Sequence, residues 1–484
     1  MGDQLGERTA PNIIFFLMDT VRASDTYNDS SLTFINSLAK YGTKYERVIA
    51  PGTWTAPSHA SLFMDANVSA IRGISRNFFN NDGTRIDPWM VKNKFLPENA
   101  RTMAGKMSKL GYKSVLFSNN PFLTSRTNLA VGFDRIYDVW LQANIKYNKG
   151  LVDRFSFIVN GGNSAREKMY LLSDVLTRAL PKPVFDKLYL YLRRRLAEKV
   201  SAVEGATMID RGAEDINKAL RGYLERDYQI APHFMFLNYM EAHENYPIGK
   251  GEMIQDKWLY LSKIEELNES VTKKLHNGYV KRIRYMDGKI RNAIEIMKQA
   301  GMLDNAVVVL TSDHGQLFGE HGGLYHSVFP YEGVAHVPFI AARYCEGRLK
   351  RDHEDISRLV SLRAAHKAIL GIAEGRYKQM DGNMKSGRYL VNEHTGIIEG
   401  WDEPLLRRLK ERSDYAKKIY EAKKHYNSKA TAVYEGNLKL INFFGKKEAE
   451  LYDLDKDPYE LDNLIYSRRA DALRLARYDV ASAR

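Results

Sequence analysis

Four short apolar runs along the chain each end in polar side chains. The first extends from Asn12 to Met18 and leads into Asp19, and the others cover 114–120, 233–240 and 306–313. Near-continuous apolar runs of this length are typical of parallel strands that are buried on both faces. Because open α/β sheets bind ligands at the carboxyl ends of their strands, the polar residues that follow the runs are the first candidates for a site.

Helical periodicity separates these runs, for example over 102–110 and 279–301. This alternation predicts an α/β fold with a mostly parallel central sheet sandwiched by helices, similar in layers to other doubly wound proteins. Beyond about residue 375 the pattern changes to short strands, such as 431–434 and 438–443. We therefore expect a catalytic domain over 1–375 and a small C-terminal α+β subdomain with a short antiparallel sheet over 376–484.

A basic, helix-like region interrupts the alternation from about residue 145 to 230. One face of a helix in this region carries the apolar residues Phe185, Leu188, Leu192 and Leu196. Three arginines at 193–195 lie beside that face. We interpret the region as a helical insertion that packs on the body and leaves a basic edge in solvent, with peripheral membrane contact or nucleic-acid contact as the alternatives.

Composition narrows the class of protein. With 484 residues and 44% hydrophobic content, the chain can bury a large core. The single cysteine, Cys345, excludes a disulfide framework and a zinc site made of several thiolates. The N-terminus lacks the basic start and apolar run of a secretory signal, so the expected location is cytoplasmic.

The formal net charge of +13 favours anionic partners. Sulfate, phosphate, nucleic acid and anionic lipid are all negatively charged and would all be attracted by that net charge. No nucleic-acid recognition motif occurs in the sequence, so we expect no nucleic-acid partner. The expected substrate is instead an anionic ester of a small molecule, a glycan or a lipid, and the sequence leaves the oligomeric state open.

Candidate metal ligands follow two of the apolar runs. Asp19 and Asp313 end their strands, and His314 comes directly after the second carboxylate. Two carboxylates and one imidazole can hold a divalent cation and leave positions open for a nucleophile and a substrate oxygen. We expect one ion, and calcium, magnesium, manganese and zinc all tolerate this set of ligands.

Four segments in family order give the chain a resemblance to the sulfatase branch of the alkaline phosphatase superfamily. The segment that starts at Thr55, Thr-Ala-Pro-Ser-His-Ala-Ser-Leu-Phe, resembles the sulfatase signature around the nucleophile. Ser312-Asp-His-Gly resembles the second metal motif, 331–340 resembles the strand entry that follows it, and 450–464 is similar to the C-terminal signature. The resemblance extends from Pro11 to about Leu464 and implies the alkaline-phosphatase-like fold and a metal-dependent ester hydrolase.

Two departures from the signature bear on the chemistry. Thr55 occupies the position at which active sulfatases carry the Cys or Ser that becomes formylglycine, and a threonine cannot give that aldehyde. Thr20 follows Asp19 in place of a second aspartate, and His59 replaces the arginine of the signature. This combination is similar to the phosphoethanolamine transferases and lipoteichoic acid synthases, which form a phospho-threonine intermediate. Thr55 is therefore expected to act as a metal-activated nucleophile that also contacts the ion.

Other polar residues complete the predicted site. His243 follows its strand and His326 follows a glycine turn, and we expect these two to stabilise the transferred group and to protonate the leaving group. His59 and Asn120 are expected to contact the substrate anion. Relatives with two metals require an Asp-x-x-x-His spacing, and Tyr239 occupies the place of that aspartate before His243.

Three functions remain open from the sequence. The first is metal-dependent hydrolysis of a sulfate or phosphate ester by Thr55. The second is transfer of a phosphoryl or phosphoethanolamine-type group to a lipid or glycan. The third is a protein that binds an anion or nucleic acid without catalysis, and the retained set of candidate ligands argues against it.

Overall fold

The structure is a computed structural model. It describes residues 10–71, 74, 95–125, 127–139, 176, 179–203, 209–228, 231–244, 246, 256–326, 328–376, 384, 386–396, 403–445 and 448–479.

The strands are numbered here in chain order. They are β1 Asn12–Met18, β2 Thr43–Ile49, β3 Lys113–Ser118, β4 Arg135–Asp138, β5 His233–Tyr239, β6 Asn305–Thr311, β7 Leu317–Phe318, β8 Leu324–Tyr325, β9 His336–Cys345, β10 Arg348–Leu349, β11 Glu354–Ser361, β12 Leu390–His394, β13 Ala430–Glu435, β14 Leu438–Phe443 and β15 Glu448–Asp453. All four apolar runs form strands, as the sequence predicted.

The helices follow the same convention. They are α1 Ala23–Tyr27, α2 Thr33–Tyr41, α3 Thr55–Met64, α4 Met103–Lys109, α5 Lys182–Val203, α6 Ala213–Arg226, α7 Lys257–Leu261, α8 Glu269–Gln299, α9 Glu332–Ala335, α10 Ala365–Ala373, α11 Glu403–Leu409, α12 Asp414–Tyr426 and α13 Arg469–Ala476. Within the described ranges, none of these helices is both long enough and apolar enough to span a bilayer.

The main sheet is mixed and mostly parallel. Its strand order is β11-β2-β9-β6-β1-β5-β3-β4, and β10 pairs with β9 at one side. β9 runs antiparallel to both of its neighbours in that order, β2 and β6, whereas β6, β1, β5, β3 and β4 are parallel to one another. The four predicted strands are thus adjacent, and their carboxyl ends lie along one edge.

Side chains of β1 explain why its sequence is an unbroken apolar run. Ile14, Phe16 and Met18 point into a core under one set of helices, which includes α6 and α8. The intervening residues of the strand point into a second core on the opposite face, which α3, α4 and α10 cover. Burial on both faces removes the polar alternation that a strand with one wet face would show, and the α/β prediction is confirmed.

The predicted insertion is only partly what the sequence suggested. Residues 145–175 lie outside the described residues. A helix does form over 182–203, and Phe185 of the predicted apolar face is buried, whereas Leu192 is half exposed. The helix packs through its first turns against α7, α11 and α12. The predicted bounds of the insertion, 145–230, also include α6. That helix is an ordinary crossover helix that covers the main sheet.

Two arginines of the basic edge are used in ion pairs. Arg193 pairs with Asp256, and Arg194 lies 2.8 Å from a carboxylate oxygen of Glu265. These contacts tie α5 to the segment that precedes α8. The edge is therefore partly neutralised by the protein itself.

A second sheet forms in the C-terminal region, as the short strands predicted. It is antiparallel throughout, with the order β12-β13-β14-β15. The buried ammonium of Lys439 on β14 lies 2.9 Å from Glu332 and 2.6 Å from Glu460. Because Glu332 belongs to α9 of the main domain, this charge cluster links the two sheets.

Candidate active site

Strand register brings the two predicted metal carboxylates together. β1 and β6 are parallel neighbours with Leu17 opposite Thr311. Asp19 and Asp313, each two residues further along, therefore leave the sheet side by side. On the other side of β1, the backbone N–H of Asp19 donates a hydrogen bond of 2.8 Å to the carbonyl of Tyr239 at the end of β5. Pairing of three central strands thus fixes the position of the first carboxylate.

Asp19, Asp313 and His314 could hold a cation between them. Their ligand atoms lie within 4.8 Å of one another, and all three residues are buried. Oδ1 of Asp19, Oδ2 of Asp313 and Nε2 of His314 have no hydrogen-bond partner among the described residues. Buried polar atoms normally have partners, so three of them facing one region mark a place where a cation could bind. The predicted ligand set fits a divalent metal.

The second polar atom of each ligand is held by the protein. Oδ1 of Asp313 accepts hydrogen bonds from the backbone N–H groups of Thr20 at 3.3 Å and of His314 at 3.0 Å. Nδ1 of His314 lies 2.9 Å from the carbonyl oxygen of Gly315. Donation to that carbonyl leaves Nε2 as the acceptor that can bind a metal. Such contacts orient the free atoms before an ion arrives.

Without a cation, burial of these two neighbouring carboxylates raises the free energy of their charged forms. Burial raises the pKa of Asp313 to about 7. Hydrogen bonds to the carboxylate lower this pKa, but by less than burial raises it. Burial, followed by repulsion from Asp313, raises the pKa of Asp19 well above its ordinary value. A divalent cation favours the charged form of both groups. The electrostatics therefore match a metal site.

Thr55 stands at the first position of α3 and faces the carboxylates. Its hydroxyl oxygen lies 3.5 Å from Oδ2 of Asp19, and the residue is buried. The helix begins here because Trp54 is still extended, with φ −161° and ψ 170°. The amino end of a helix carries unpaired N–H groups and partial positive charge, which favour an anion in front of it. The predicted nucleophile therefore lies beside the candidate metal ligands.

The second sheet supports the loop that precedes Thr55, which the sequence did not reveal. Nδ2 of Asn392 on β12 donates a hydrogen bond of 2.6 Å to the carbonyl of Ala50. Oγ1 of Thr53 lies 2.7 Å from Nδ1 of His394 on the same strand. These residues are more than 300 positions apart in sequence, and no motif links them. The C-terminal region thus helps to position the nucleophile.

His59 lies behind Thr55 and is fully buried. Its ring packs edge to face against Phe63 and Phe236, and its Nδ1 lies 3.0 Å from the carbonyl oxygen of Thr55 and 3.5 Å from Oδ2 of Asp313. Burial lowers its pKa to about 4, so the ring is neutral at neutral pH. The contact with Thr55 helps to hold the start of α3, and the predicted contact of His59 with a substrate anion stays a prediction.

Asn120 touches a metal ligand. Its Nδ2 donates a hydrogen bond of 2.7 Å to Oδ2 of Asp19, and its Oδ1 accepts one of 2.8 Å from the N–H of Phe122. The side chain is therefore fixed at both ends and orients Asp19. Its predicted contact with a substrate stays a prediction.

His243 and His326, the other predicted catalytic residues, converge beside the first group. The centres of their rings are 4.7 Å apart, and the ring of His326 is 4.9 Å from that of His314. Burial lowers the pKa of His326 and lowers that of His243 to about 3. Both rings are therefore neutral at neutral pH and can donate one N–H each. The expected protonation of a leaving group would need the charged form, which these surroundings disfavour.

Glu244 lies between the two histidines and was missing from the sequence prediction. Its Oε2 is 2.8 Å from Nδ1 of His326 and 3.3 Å from Nδ1 of His243. Its position directly after His243 was the one signal that could have identified it. The three residues form a second group of potential metal ligands, defined here as the His-Glu-His group.

Comparison with known proteins identifies the family to which most of this chain is similar. The model of the family described as Sulfatase matches residues 11–361, which is more than half of the chain. An arylsulfatase of Clostridium perfringens is 26% identical over 216 residues, which are 43% of this chain and 40% of that protein. An N-acetylglucosamine-6-O-sulfatase of Bacteroides thetaiotaomicron is 25% identical over 238 residues, or 44% of this chain and 38% of that protein. The chain thus aligns with less than half the length of either relative.

A solved structure extends the likeness in fold to nearly the whole chain. The phosphonate monoester hydrolase of Silicibacter pomeroyi superposes with a TM-score of 0.61 at 15% identity. The superposition covers 98% of this chain and 95% of that one. At this identity the likeness concerns the fold alone.

Proposed function

The chain belongs to the sulfatase family, and from this premise we propose that it hydrolyses a sulfate or phosphate ester with Thr55 as the nucleophile. The observation that carries the proposal is the position of the Thr55 hydroxyl, 3.5 Å from Oδ2 of Asp19, one of three residues whose free atoms could hold a cation. A nucleophile needs a neighbouring group that favours its ionised form. A divalent ion held by these three ligands would supply that effect and would stabilise negative charge on the transferred group.

The proposed reaction has two displacements. In the first, Oγ1 of Thr55 forms a bond to the phosphorus or sulfur atom while the bond from that atom to the alcohol oxygen breaks. The electron pair leaves with the alcohol oxygen, which takes a proton from water, and Oδ2 of Asp19 is placed to accept the hydroxyl proton. In the second, water displaces Thr55 and restores its hydroxyl. Neutral His243 and His326 donate N–H groups to the oxygens of the transferred group.

The threonine favours phosphate esters over sulfate esters as substrates. A formylglycine hydrate can expel sulfate by reverting to the aldehyde, and Thr55 has no such route because its Cβ carries a methyl group. The covalent intermediate is therefore an ester that a second nucleophile must displace. We expect phosphate monoesters and diesters to turn over faster than sulfate esters.

Activity of a matched pair of variants tests the proposal. Hydrolysis of p-nitrophenyl phosphate, bis-p-nitrophenyl phosphate and p-nitrophenyl sulfate is measured with added manganese, zinc or calcium. We expect Thr55→Ala to lose more than about 1,000-fold in kcat and Thr55→Ser, which keeps the hydroxyl, to retain activity within about tenfold. Equal rates for Thr55→Ala and the parent on all three esters would refute the assignment.

Group transfer is the second candidate, and the same threonine supports it. An ester of Thr55 can be displaced by the hydroxyl of an acceptor as well as by water, and the net charge of +13 favours anionic lipids or glycans as acceptors. The name of the N-acetylglucosamine-6-O-sulfatase among the relatives supports a glycan ester as substrate. Intact-mass measurement of modified Thr55 distinguishes the two: a transferase loses the added mass only when an alcohol such as glycerol is present.

A further inference from the structure

One face of helix α5 is built to meet a charged and apolar surface, and we infer that it docks the protein on an anionic lipid bilayer. This face, called the α5 patch here, consists of Val184, Lys187, Tyr191, Leu192, Arg194 and Arg195. Docking of this kind is a property separate from the proposed reaction. Three features support it: the orientation of the helix, the charge around it and the apolar side chains that it leaves in solvent.

The inward face of α5 is partly charged. Phe185, Tyr189 and Arg193 follow one another at a spacing of four residues and therefore lie on one side of the helix. Phe185 and Tyr189 pack in the apolar cluster with α11 and α12, and Arg193 forms the ion pair described above. Beside them the buried Asp186 accepts a hydrogen bond from the hydroxyl of Ser413. An aspartate and an arginine thus face the protein.

The opposite face of α5 carries large apolar side chains in solvent. Val184, Tyr191 and Leu192 are 49, 55 and 50% exposed. Val184, the half-buried Leu188 and Tyr191 follow at spacings of four and three residues, so they lie on one side of the helix. A helix that packs on a core normally turns its apolar side inward. Neighbouring exposed apolar side chains with charged residues beside them mark an interaction site.

The charged residues of the α5 patch are all cations. Lys187, Arg194 and Arg195 are exposed, and Arg194 uses part of its charge in the ion pair described above. The helix supplies no acid to this face, because over 182–195 its one acidic residue is the buried Asp186. The outward face therefore combines positive charge with apolar surface.

Neighbouring helices add to the positive charge. Helix α5 contains six Lys and Arg against two Asp and Glu, and residues 403–426, which include α11 and α12, contain eight against four. These two segments together hold +8 of the net charge of +13. The exposed cations of the second segment include Arg407, Arg408, Lys417, Lys418 and Lys424. Charge concentrated in this way attracts a surface of opposite sign.

A bilayer fits the α5 patch better than other partners do. Nucleic acids and sulfated glycans bind basic groups, but they leave exposed valine and leucine side chains without a role. A bilayer offers anionic headgroups together with acyl chains, and helices that lie in its interface combine Lys and Arg with apolar residues. A second copy of the chain is disfavoured, because a symmetric dimer through this face would bring Lys187, Arg194 and Arg195 of both copies together.

Two contacts connect the α5 patch with the candidate active site. Asp256, the partner of Arg193, accepts a hydrogen bond of 3.0 Å from the N–H of Trp258 at the start of α7. Nζ of Lys257, the first residue of α7, lies 3.4 Å from the carbonyl oxygen of His326. These contacts hold α5 in a fixed position relative to the candidate site.

Co-sedimentation of the full chain with lipid vesicles tests the docking surface. We expect binding to vesicles of equal parts phosphatidylglycerol and phosphatidylcholine, and binding weaker by more than about tenfold to phosphatidylcholine alone. Raising the salt from about 0.1 M to about 1 M shortens the screening length from about 10 Å to about 3 Å. Binding to the anionic vesicles should therefore weaken. Absence of binding at low salt, or equal binding to both kinds of vesicle, would overturn the inference.

A charge variant and an apolar variant separate the two contributions. Lys187→Gln/Arg195→Gln keeps the described ion pairs of α5, and because each Lys or Arg near an anionic surface strengthens binding about fivefold, we expect a loss of about 25-fold. Tyr191→Ser/Leu192→Ser keeps the charge and should lose about tenfold or more, because the apolar contact with acyl chains is removed. Unchanged binding in both variants would refute the assignment of the contact to α5.

The matched control changes the same two residue types elsewhere on the surface. Leu461 and Tyr466 are 81 and 93% exposed, and Leu461→Ser/Tyr466→Ser should bind the vesicles as the parent does. A loss in this control equal to that of the apolar variant would contradict the assignment to α5. If the apolar variant binds vesicles fully and the parent also binds heparin, the patch is a site for polyanions and the lipid assignment is wrong.

A fluorescence measurement covers the case in which a charge or apolar variant does not fold. Leu192→Trp keeps the patch apolar, and vesicles with brominated acyl chains should quench its emission more than they quench the native tryptophans of the parent. No added quenching would overturn the contact. Turnover of p-nitrophenyl phosphate without vesicles does not involve the α5 patch, so failure of docking and failure of Thr55 catalysis are distinguishable.

Discussion

The two groups of potential metal ligands, the first of Asp19, Asp313 and His314 and the second the His-Glu-His group, differ in how the fold holds them. Asp19 and Asp313 follow directly after adjacent parallel strands, and at most 1% of either residue is exposed. His243 and Glu244 lie on a loop, His326 follows a strand of two residues, and 12 to 22% of these side chains is exposed. The first group is therefore fixed by sheet register and the second by loop contacts.

This difference has a consequence for how firmly each group is held. Ladder hydrogen bonds hold a strand end in one position, so Asp19 and Asp313 keep a constant geometry relative to each other. Loops open with less free energy than core strands do. We therefore expect the second group to vary more in position than the first.

Removal of a ligand from the first group should have the largest effect. Asp313→Asn deletes one carboxylate of the buried pair. We expect a loss of activity above about 100-fold, since changes that only touch the outer partners of metal ligands already cost 10–100-fold. The parent should melt at a higher temperature with metal than with chelator, and Asp313→Asn should lose that difference. A normal metal-dependent rise in Tm in this variant would show that Asp313 is not a ligand.

Loss of the amide that orients Asp19 should have an intermediate effect. Asn120→Ala removes the 2.7 Å hydrogen bond to Oδ2 of Asp19 and leaves all ligands in place. We expect metal affinity or kcat to fall by about 10–100-fold, measured by metal titration of the rate. Asn120→Asp is the comparison variant and should fall further, because it adds a negative charge to a buried carboxylate pair. An unchanged metal dependence in Asn120→Ala would mean that β1 alone orients the ligand.

The last prediction concerns stability, pH and the sheet that supports the nucleophile loop. Burial lowers the pKa of His394 to about 4, from about 6.5 in an unfolded chain. Above pH 6.5 neither state binds the proton, and between pH 6.5 and 4 only the unfolded state does. Stability should therefore fall as the pH drops through this window, by up to about 3 kcal/mol from this residue. Urea unfolding at pH 7 and 4.5 measures the fall.

His394→Gln is the matching variant for that measurement. Glutamine can still accept a hydrogen bond from Thr53, but it does not titrate. The variant should lose less stability between pH 7 and 4.5 than the parent does. If both lose the same amount, protonation of other buried histidines such as His366, whose pKa is also lowered to about 4, accounts for the fall.

Much of the fold could be predicted because a strand buried on both faces appears in the sequence as a near-continuous apolar run. All four apolar runs became adjacent strands, and the predicted helices at 102–110 and 279–301 formed with shifted bounds. The long helix α8 starts earlier, at Glu269, because Asn268 caps it by accepting a hydrogen bond of 3.1 Å from the N–H of Val271. The insertion was less predictable, since the first turns of α5 pack against α7, α11 and α12, which lie far away in sequence.

The sequence by itself determined which polar residues meet at the carboxyl ends of the central strands. Asp19, Asp313, His314 and Thr55 could be identified because each follows or begins a regular element, and strand register brings such positions together. Only the tertiary structure decided what lies between these elements. Glu244 joined the two histidines, His59 became a buried neutral ring, and Asn392 reached the nucleophile loop. Contacts between residues hundreds of positions apart depend on how loops and sheets pack, and local patterns of polar and apolar residues do not encode them.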